Sequence, residues 1–247
     1  MTCLVAISLS NLIIVGADTR ISVPQEGDYQ RVDARIGAYE LESGRSLPIP
    51  DGLRKIRKIE GTWYAASGDL VTGELGFSSF QTWGLQPASL VETWEVRRLE
   101  LRTLSHTENC HDLDVIDKTR FLIAIGHPTP TVVCLNLSAP SQAEPSNYQI
   151  SVPPGFTEED TTHATAAFVK SLKESVDTSN LFGAIRAVVA VLKTANERCI
   201  TVSSLVQLGF SVGTPGVTAQ HFRIEGEGAE LLLLNDEDLR ARFIQLA

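Results

Sequence analysis

The pattern of apolar and polar positions begins with two short apolar runs. Thr2–Ser8 and Leu12–Asp18 are both rich in aliphatic side chains, and Ser10 and Asn11 lie between them. Polar residues of this kind favour a turn. The second run is apolar at every position from 12 to 17, which is typical of a strand covered on both faces. The sequence therefore predicts two strands joined by a tight turn.

The next segment, from Ile21 to Pro50, breaks this pattern. Prolines and glycines are spread through it among polar residues. We predict a long loop with a short hairpin around Ile36–Leu41. Because a loop of this length in a compact domain is usually functional or mobile, we expect it to shape the entrance of any site nearby.

The remaining chain alternates between blocks of strands and pairs of helices. Strands are predicted over Lys55–Ile59, Thr62–Ala66, Arg120–Ile125, Thr131–Leu137, Gln149–Val152, Ile200–Val212, Ala219–Ile224 and Glu230–Leu234. Helices are predicted over Leu70–Trp83, Pro87–Leu104, Thr157–Ser175, Asn180–Asn196 and Asp236–Leu246. The polar stretch Ser105–Lys118 is predicted to be a loop. This order indicates stacked layers, with sheets inside and helices outside.

Composition narrows the class of protein. The chain has 247 residues, of which 43% are hydrophobic, enough to bury one sizeable core or at most two small ones. The formal net charge of -9 gives it no electrostatic reason to bind nucleic acid or anionic lipid. No apolar run reaches the ~18 residues of a membrane-spanning helix.

The beginning of the sequence and the cysteines favour a cytoplasmic protein. The first residues lack the basic region of a signal peptide, and Asn11 and Asp18 interrupt the apolar stretch early. The cysteines show no paired spacing, so we expect reduced thiols and no disulfide framework. They are Cys3, Cys110, Cys134 and Cys199.

Three short motifs carry candidate chemistry. They are Met1-Thr2, then Gly16-Ala17-Asp18-Thr19-Arg20, and then Arg54-Lys55-Ile56-Arg57-Lys58-Ile59. Taken singly, Thr2 is most simply the start of a strand, Asp18 a turn residue and Lys55 a solvent-facing side chain. Together, in this order, they resemble the proteasome β-subunit family and its bacterial relatives HslV and Anbu. The length of the chain is nearer to Anbu.

The resemblance implies threonine-type N-terminal-nucleophile chemistry. Thr2 becomes the first residue once Met1 is removed, and its hydroxyl then attacks an amide to form an acyl-enzyme. A threonine hydroxyl is a weak nucleophile that needs a base. A free α-amine, with an unperturbed pKa of about 7.7–8.0, is able to take that proton. Lys55 would keep the local field positive, and Asp18 would hold Lys55 as an ion pair.

The resemblance also implies an oxyanion donor and accessory groups. The Ser67-Gly68 turn takes the place of the family's glycine-containing turn, so Gly68 is the candidate oxyanion donor. Ser203 is the best match to the serine before the late strand, although the family's aspartate is missing there. Thr161 and Thr162 are possible substitutes for the serine of the third helix.

The fold implied is α+β: a four-layer αββα sandwich of two antiparallel sheets flanked by helix pairs, with residues 1–247 as a single domain. The implied enzyme is a threonine peptidase that cleaves peptide or protein substrates without a cofactor and works as a homo-oligomeric ring. Nothing in the sequence indicates whether a regulatory ATPase takes part. The alternatives are an inactive structural subunit, a transpeptidase or ligase using Thr2, and a small-molecule amidase.

The segment from His106 to Asp112 contains side chains of types that bind metals. His106, Cys110 and His111 invite the interpretation of a metal site, but their spacing matches no ordinary zinc pattern. We expect a polar surface loop there and no bound metal.

Overall fold

The structure is a computed structural model, and it describes most of the chain. The described residues are 3–9, 11–25, 28–35, 38–41, 46–48, 55–109, 113–126, 130–139, 148–151, 181–198, 202–213 and 219–246. Met1 and Thr2 lie outside them, as does the predicted helix Thr157–Ser175.

The described residues form fourteen strands and seven helices. The strands are β1 Leu4–Leu9, β2 Leu12–Asp18, β3 Arg20–Gln25, β4 Asp28–Arg35, β5 Ala38–Leu41, β6 Ser46–Pro48, β7 Ile56–Ile59, β8 Thr62–Ser67, β9 Arg120–Ile125, β10 Thr131–Asn136, β11 Tyr148–Ser151, β12 Leu205–Val212, β13 Gln220–Glu227 and β14 Ile244–Leu246. The helices are α1 Leu70–Trp83, α2 Pro87–Glu92, α3 Trp94–Asn109, α4 Leu113–Ile116, α5 Leu181–Arg198, α6 Gly228–Leu233 and α7 Asp236–Ala241.

The largest sheet has six antiparallel strands in the order β11-β1-β2-β12-β13-β14. Leu9 is paired with Leu12, so only two residues turn the chain between β1 and β2. Every residue of β2 is buried because both faces of this strand are covered. Helix α5 packs on one face and buries alternate residues of β1 and β2, including Val5, Ile7 and Ile14. The continuous apolar run in the sequence is thus explained by a two-sided environment.

The other face of this sheet packs against a second antiparallel sheet, in the order β10-β9-β8-β7. We call the apolar layer between them the inter-sheet core. Its buried members are Leu4, Ala6, Ile13, Val15, Ala17, Ile56, Trp63, Ala65, Leu122, Ala124, Val132 and Cys134. Leu4 and Ala6 belong here while Val5 and Ile7 face α5, as the two-residue period of a strand requires. The second sheet buries its far face against α1 to α4, in a cluster that includes Phe77, Trp94 and Phe121.

The segment predicted as a long loop is strand structure, so that prediction was wrong. Strands β3 to β6 form a third antiparallel sheet in chain order. The predicted short hairpin near Ile36–Leu41 corresponds to the pairing of β4 with β5, which brings Arg35 opposite Ala38. Pro24 lies on β3 and Pro48 on β6, the two edge strands, where a missing N–H is tolerated.

Two other predictions fail for reasons of packing. Glu230–Leu234 was predicted as a strand, but α6 occupies residues 228–233. Leu231 is buried in the core beside α5 while Leu233 is 87% exposed, which is a helical distribution. Ser105–Lys118 was predicted as a loop, yet α3 continues to Asn109 and α4 follows. Ser105 is fully buried on α3. Because a polar residue occupies this buried position, the sequence lacks the apolar period of a helix and was predicted to be a loop.

The predicted helix Pro87–Leu104 is two helices. Thr93 ends α2, and its backbone N–H and hydroxyl both donate to the carbonyl of Ser89. Trp94 then begins α3 fully buried, with its indole N–H donating to the carbonyl of Asn136 at 3.0 Å. The break thus allows one large side chain to enter the core. Among the described residues, no helix is long and apolar enough to cross a membrane.

Candidate active site

Asp18, the last residue of β2, is the centre of a buried polar cluster. Its side chain has no exposed surface. Its Oδ1 accepts the backbone N–H of Cys3 at 2.9 Å, and its Oδ2 accepts the ammonium of Lys55 at 3.1 Å. The backbone N–H of Ser203 also reaches Oδ2, at 3.4 Å. Three donors from distant parts of the chain thus compensate for burying the carboxylate.

Lys55 approaches from the second sheet, just before β7. It is 7% exposed, so the ion pair with Asp18 is largely shielded from water. Its own carbonyl accepts the backbone N–H of Ala66 at 2.8 Å, which fixes it beside the end of β8. The ion pair therefore joins the two sheets at one end of the inter-sheet core. The sequence motif predicted this pair.

Ser203 precedes β12 and is also fully buried. Its hydroxyl oxygen accepts the N–H of Leu205 at 3.0 Å and the hydroxyl of Thr19 at 3.3 Å. Thr19 is tied to the same turn because its N–H donates to the carbonyl of Leu205 at 3.1 Å. A hydroxyl oxygen has two lone pairs, and these two donors use both. The Ser203 hydroxyl is therefore held between Thr19 and Leu205.

Thr2 itself lies outside the described residues. The residue that follows it is well placed, because the Cys3 N–H is held by Asp18 and the Cys3 thiol is buried in the core beside α5. Thr161 and Thr162, proposed as accessory groups, also lie outside the described residues.

Gly68 lies in the turn between β8 and α1, two residues beyond Ala66. Its φ is 105°, a conformation that side-chain-bearing residues rarely adopt. A Cβ at this position would lie 2.5 Å from the Cα of Thr119 and 2.7 Å from the carbonyl oxygen of Lys118, so only glycine fits. Within the described part of the chain, the Gly68 N–H donates to no acceptor.

The structure thus joins Lys55 and Ser203 through contacts with Asp18. It places Gly68 in the turn after β8, the strand on which Ala66 bonds to the Lys55 carbonyl. Sequence reasoning gave Thr19 no role, and it did not anticipate the Cys3 amide as a partner of Asp18. Thr19 belongs to the recognised motif around Asp18. The adjacency of Thr19 to Asp18 in the sequence was therefore the feature that could have identified it.

Metal chemistry has no support in the described part of the chain. There, no group of three or more His, Cys, Asp or Glu side chains is placed to hold an ion. In the segment from His106 to Asp112, His106 lies on α3, whereas Cys110, His111 and Asp112 lie outside the described residues.

Comparisons with known proteins place this fold. No protein-family profile and no curated protein matches the chain. Solved structures do. An Anbu (ancestral beta-subunit) from Yersinia bercovieri matches with a TM-score of 0.53 and 12% identity over 90% of this chain and 86% of that one. An Anbu mutant from Hyphomicrobium sp. strain MC1 matches with a TM-score of 0.51 and 13% identity, over 98% and 92% of the two chains.

A third similar structure is the Thiobacillus denitrificans BPH in complex with epoxomicin. It matches with a TM-score of 0.52 and 16% identity, over 87% of this chain and all of that one. The predicted resemblance is confirmed at the level of the fold: the chain has the α+β fold of the proteasome β-subunit-like proteins, with antiparallel sheets packed together and covered by helices.

Proposed function

We propose that this protein is a threonine-type N-terminal-nucleophile hydrolase that cleaves peptide amide bonds through an acyl-enzyme on Thr2. The observation that carries the proposal is the buried cluster of Asp18, Lys55 and Ser203 around the Cys3 amide. The Thr2 carbonyl carbon is bonded to the Cys3 nitrogen at about 1.33 Å. The Cys3 N–H that Asp18 accepts therefore belongs to the same peptide group as the carbonyl of the proposed nucleophile.

The roles of the residues follow from their charges and contacts. Removal of Met1 frees the Thr2 amine, which takes the hydroxyl proton and later returns it to the leaving amine. The Lys55 ammonium lowers the energy of negative charge on the Thr2 oxygen, and Asp18 orients Lys55. Gly68 supplies its N–H to the oxygen of the tetrahedral intermediate. Ser203 supplies a hydroxyl for a hydrogen bond with the amine.

The architecture proposed with this function is the four-layer αββα sandwich, formed by residues 1–247 as one domain. The three apolar clusters of the described residues fit four layers, since one lies between the sheets and one beneath each set of helices. A homo-oligomeric ring is part of the same proposal. Val96 and Leu99 on α3 are 60% and 47% exposed, and an interface between subunits would cover them.

The experiment is intact mass spectrometry before and after incubation with epoxomicin. We expect a chain that lacks Met1 and gains one inhibitor adduct, with the modified residue mapped to Thr2. The Thr2→Ala variant should gain none. Thr2→Ser, which keeps a hydroxyl at the same place, should still be modified. Hydrolysis of a peptide amide should follow the same pattern.

Other outcomes would select the alternatives. Retained Met1 with no adduct would refute the hydrolase and favour an inactive structural subunit, because the amine would be locked in an amide. An adduct accompanied by amine-linked products, when an amine nucleophile is added, would favour a transpeptidase or ligase. An adduct with cleavage of simple amides and no peptide preference would favour a small-molecule amidase.

A further inference from the structure

Two successive backbone N–H groups in the turn at Gly68 differ in their hydrogen bonding. The Gly68 N–H has no acceptor among the described residues, whereas the next N–H, of Asp69, donates to the hydroxyl oxygen of Thr119 at 3.1 Å. Successive N–H groups beside a residue with positive φ can converge on an anion. Here the Thr119 hydroxyl already occupies the second amide, so one donor remains for a bound oxyanion.

We propose that Thr119 is a positioning residue that fixes this turn and leaves the Gly68 N–H as the donor presented to the oxyanion. The inference rests on the proposed function for the role of Gly68. Thr119 does not touch the reacting atoms in this scheme. It acts through the Asp69 amide and through contact with the glycine.

The contact with Gly68 is close enough to set the path of the chain. The backbone at Lys118 and Thr119 fills the space where a Cβ on Gly68 would lie, at 2.5 to 2.8 Å. Thr119 is in turn held at both of its backbone groups. Its N–H donates to the carbonyl of Ile116 at 2.9 Å, and its carbonyl accepts the N–H of Leu137 at 3.2 Å. A fully buried residue with these ties forms a rigid support for the turn.

Asp69 is anchored from its other side by helix α1. Its Oδ2 accepts both the N–H and the hydroxyl of Thr72, at 2.8 and 2.7 Å. Ser105 on α3 donates its hydroxyl to Thr72 Oγ1 at 3.0 Å, and both of these residues are fully buried. The carboxylate of Asp69 thus caps the helix while its N–H is held by Thr119. Removing the Thr119 hydroxyl releases the backbone end and leaves the cap in place.

The test compares Thr119→Val, which keeps the branched shape, with Thr119→Ser, which keeps the hydroxyl. The matched control is Thr82→Val, the same change at an exposed threonine whose hydroxyl donates to Ser78 within α1. Two quantities are measured on the full chain: hydrogen exchange of the Asp69 amide, and kcat and KM for a peptide amide substrate.

We expect Thr119→Val to exchange the Asp69 amide about 5- to 10-fold faster, because the hydrogen bond is lost. Its kcat should fall about 10- to 100-fold with KM within roughly 2-fold, because a displaced oxyanion donor acts mainly on the transition state. Thr119→Ser should restore both quantities, and Thr82→Val should change neither.

Unchanged exchange and unchanged kcat in Thr119→Val would overturn the proposal. So would an equal loss in Thr119→Ser, or a loss confined to KM. If the unmodified protein hydrolyses no amide and forms no epoxomicin adduct, the proposed function fails separately. The exchange of the Asp69 amide then decides alone whether Thr119 fixes the turn. If Thr119→Val does not fold, Thr119→Ala takes its place in the comparison with Thr119→Ser. The exchange of the Asp69 amide is then measured in Thr119→Ala in the same way.

Discussion

The two ends of the inter-sheet core are joined by opposite means. At the site end, defined by Cys3, Asp18, Lys55, Gly68 and Ser203, a buried ion pair links the sheets. At the tryptophan end, defined by Trp63, Gly209, Ser211 and His221, an indole lies across β12. The Trp63 N–H donates to the Ser211 hydroxyl oxygen at 2.8 Å, and Ser211 lies 2.7 Å from His221 Nδ1.

The two ends of the inter-sheet core are expected to differ in what they contribute, the site end to the proposed activity and the tryptophan end to stability. A buried ion pair gives little net stability, because desolvation offsets the attraction between the charges. A large aromatic side chain packed against glycine stabilises strongly and performs no chemistry. We therefore expect changes at the site end to affect turnover first, and changes at the tryptophan end to affect the free energy of unfolding alone.

The largest effect is expected from the ion pair. Asp18→Asn and Lys55→Met should each abolish hydrolysis. Each should also lower the free energy of unfolding by about 3–5 kcal/mol, because one buried charge loses its main partner. The double variant should recover most of that stability but none of the activity. Urea unfolding and peptide hydrolysis measure the two properties.

The control for this comparison is an exposed pair with the same lysine chemistry. Lys193 and Glu197 form an ion pair one turn apart on α5. Lys193→Met and Glu197→Gln should each cost less than about 1 kcal/mol. If the buried and exposed pairs behave alike, or if the double variant at positions 18 and 55 is as unstable as the single ones, burial does not set the energetics of the site.

The next largest effect belongs to the tryptophan end. Trp63→Ala should cost about 3–5 kcal/mol of stability, through the cavity it leaves. Gly209→Ala should cost about 1–3 kcal/mol, because the added Cβ would lie 2.2 Å from the indole of Trp63. The kcat of the folded molecules should stay within about twofold, because neither residue shares a hydrogen bond or an ion pair with the described residues of the site end.

The two substitutions should not be additive. Once the indole is gone, Gly209→Ala fills space instead of colliding, so its cost should largely vanish in the Trp63→Ala background. Urea unfolding of the four proteins measures this coupling. Additive costs would show that the contact between Gly209 and Trp63 does not join the sheets.

The smallest effect is expected from protonation of His221. Burial, and then the positive charge of Lys58, lower the pKa of His221 below its ordinary value. As the pH falls, the unfolded chain takes up this proton first, near pH 6.5, about the ordinary value for histidine. The stability contributed by neutral His221 is therefore complete above that pH and is lost as the pH falls toward the folded pKa.

His221→Gln should remove this part of the pH dependence. We expect the difference between the urea midpoints at pH 7.5 and 5.5 to be smaller in the variant, because glutamine does not titrate. An identical difference in both proteins would mean that His221 keeps the same pKa in the folded and unfolded chains.

The sequence predicted the framework best where one physical requirement dominated. Leu12–Asp18 and Leu70–Trp83 were predicted with the bounds observed. The first is apolar throughout because two layers cover it, and the second begins after the cap formed by Asp69. Glu230–Leu234 was mistaken for a strand because a short apolar run has no helical period of its own. Its packing against α5 decided the conformation.

Only part of the candidate site could be predicted from the sequence. Asp18 and Lys55 belong to two of the motifs that carry the family resemblance, and that resemblance implied their contact. Ser203 was chosen as the best remaining match, and its backbone contact with Asp18 is a structural observation that no sequence pattern announced. Thr119 gave no signal at all. It lies 50 positions from Asp69, and the hydrogen bond between them exists only because β8 and β9 are neighbours.

The strand order of the large sheet has a consequence for the nascent chain. Strands β1 and β2 can pair as soon as both have left the ribosome, but their outer neighbours, β11 and β12, are made much later. The donors that meet Asp18 lie 15, 37 and 185 positions away along the chain. The contact with Ser203 spans most of the chain and cannot form until the segment before β12 has been made. The polar cluster around Asp18 therefore stays incomplete until most of the chain has been made.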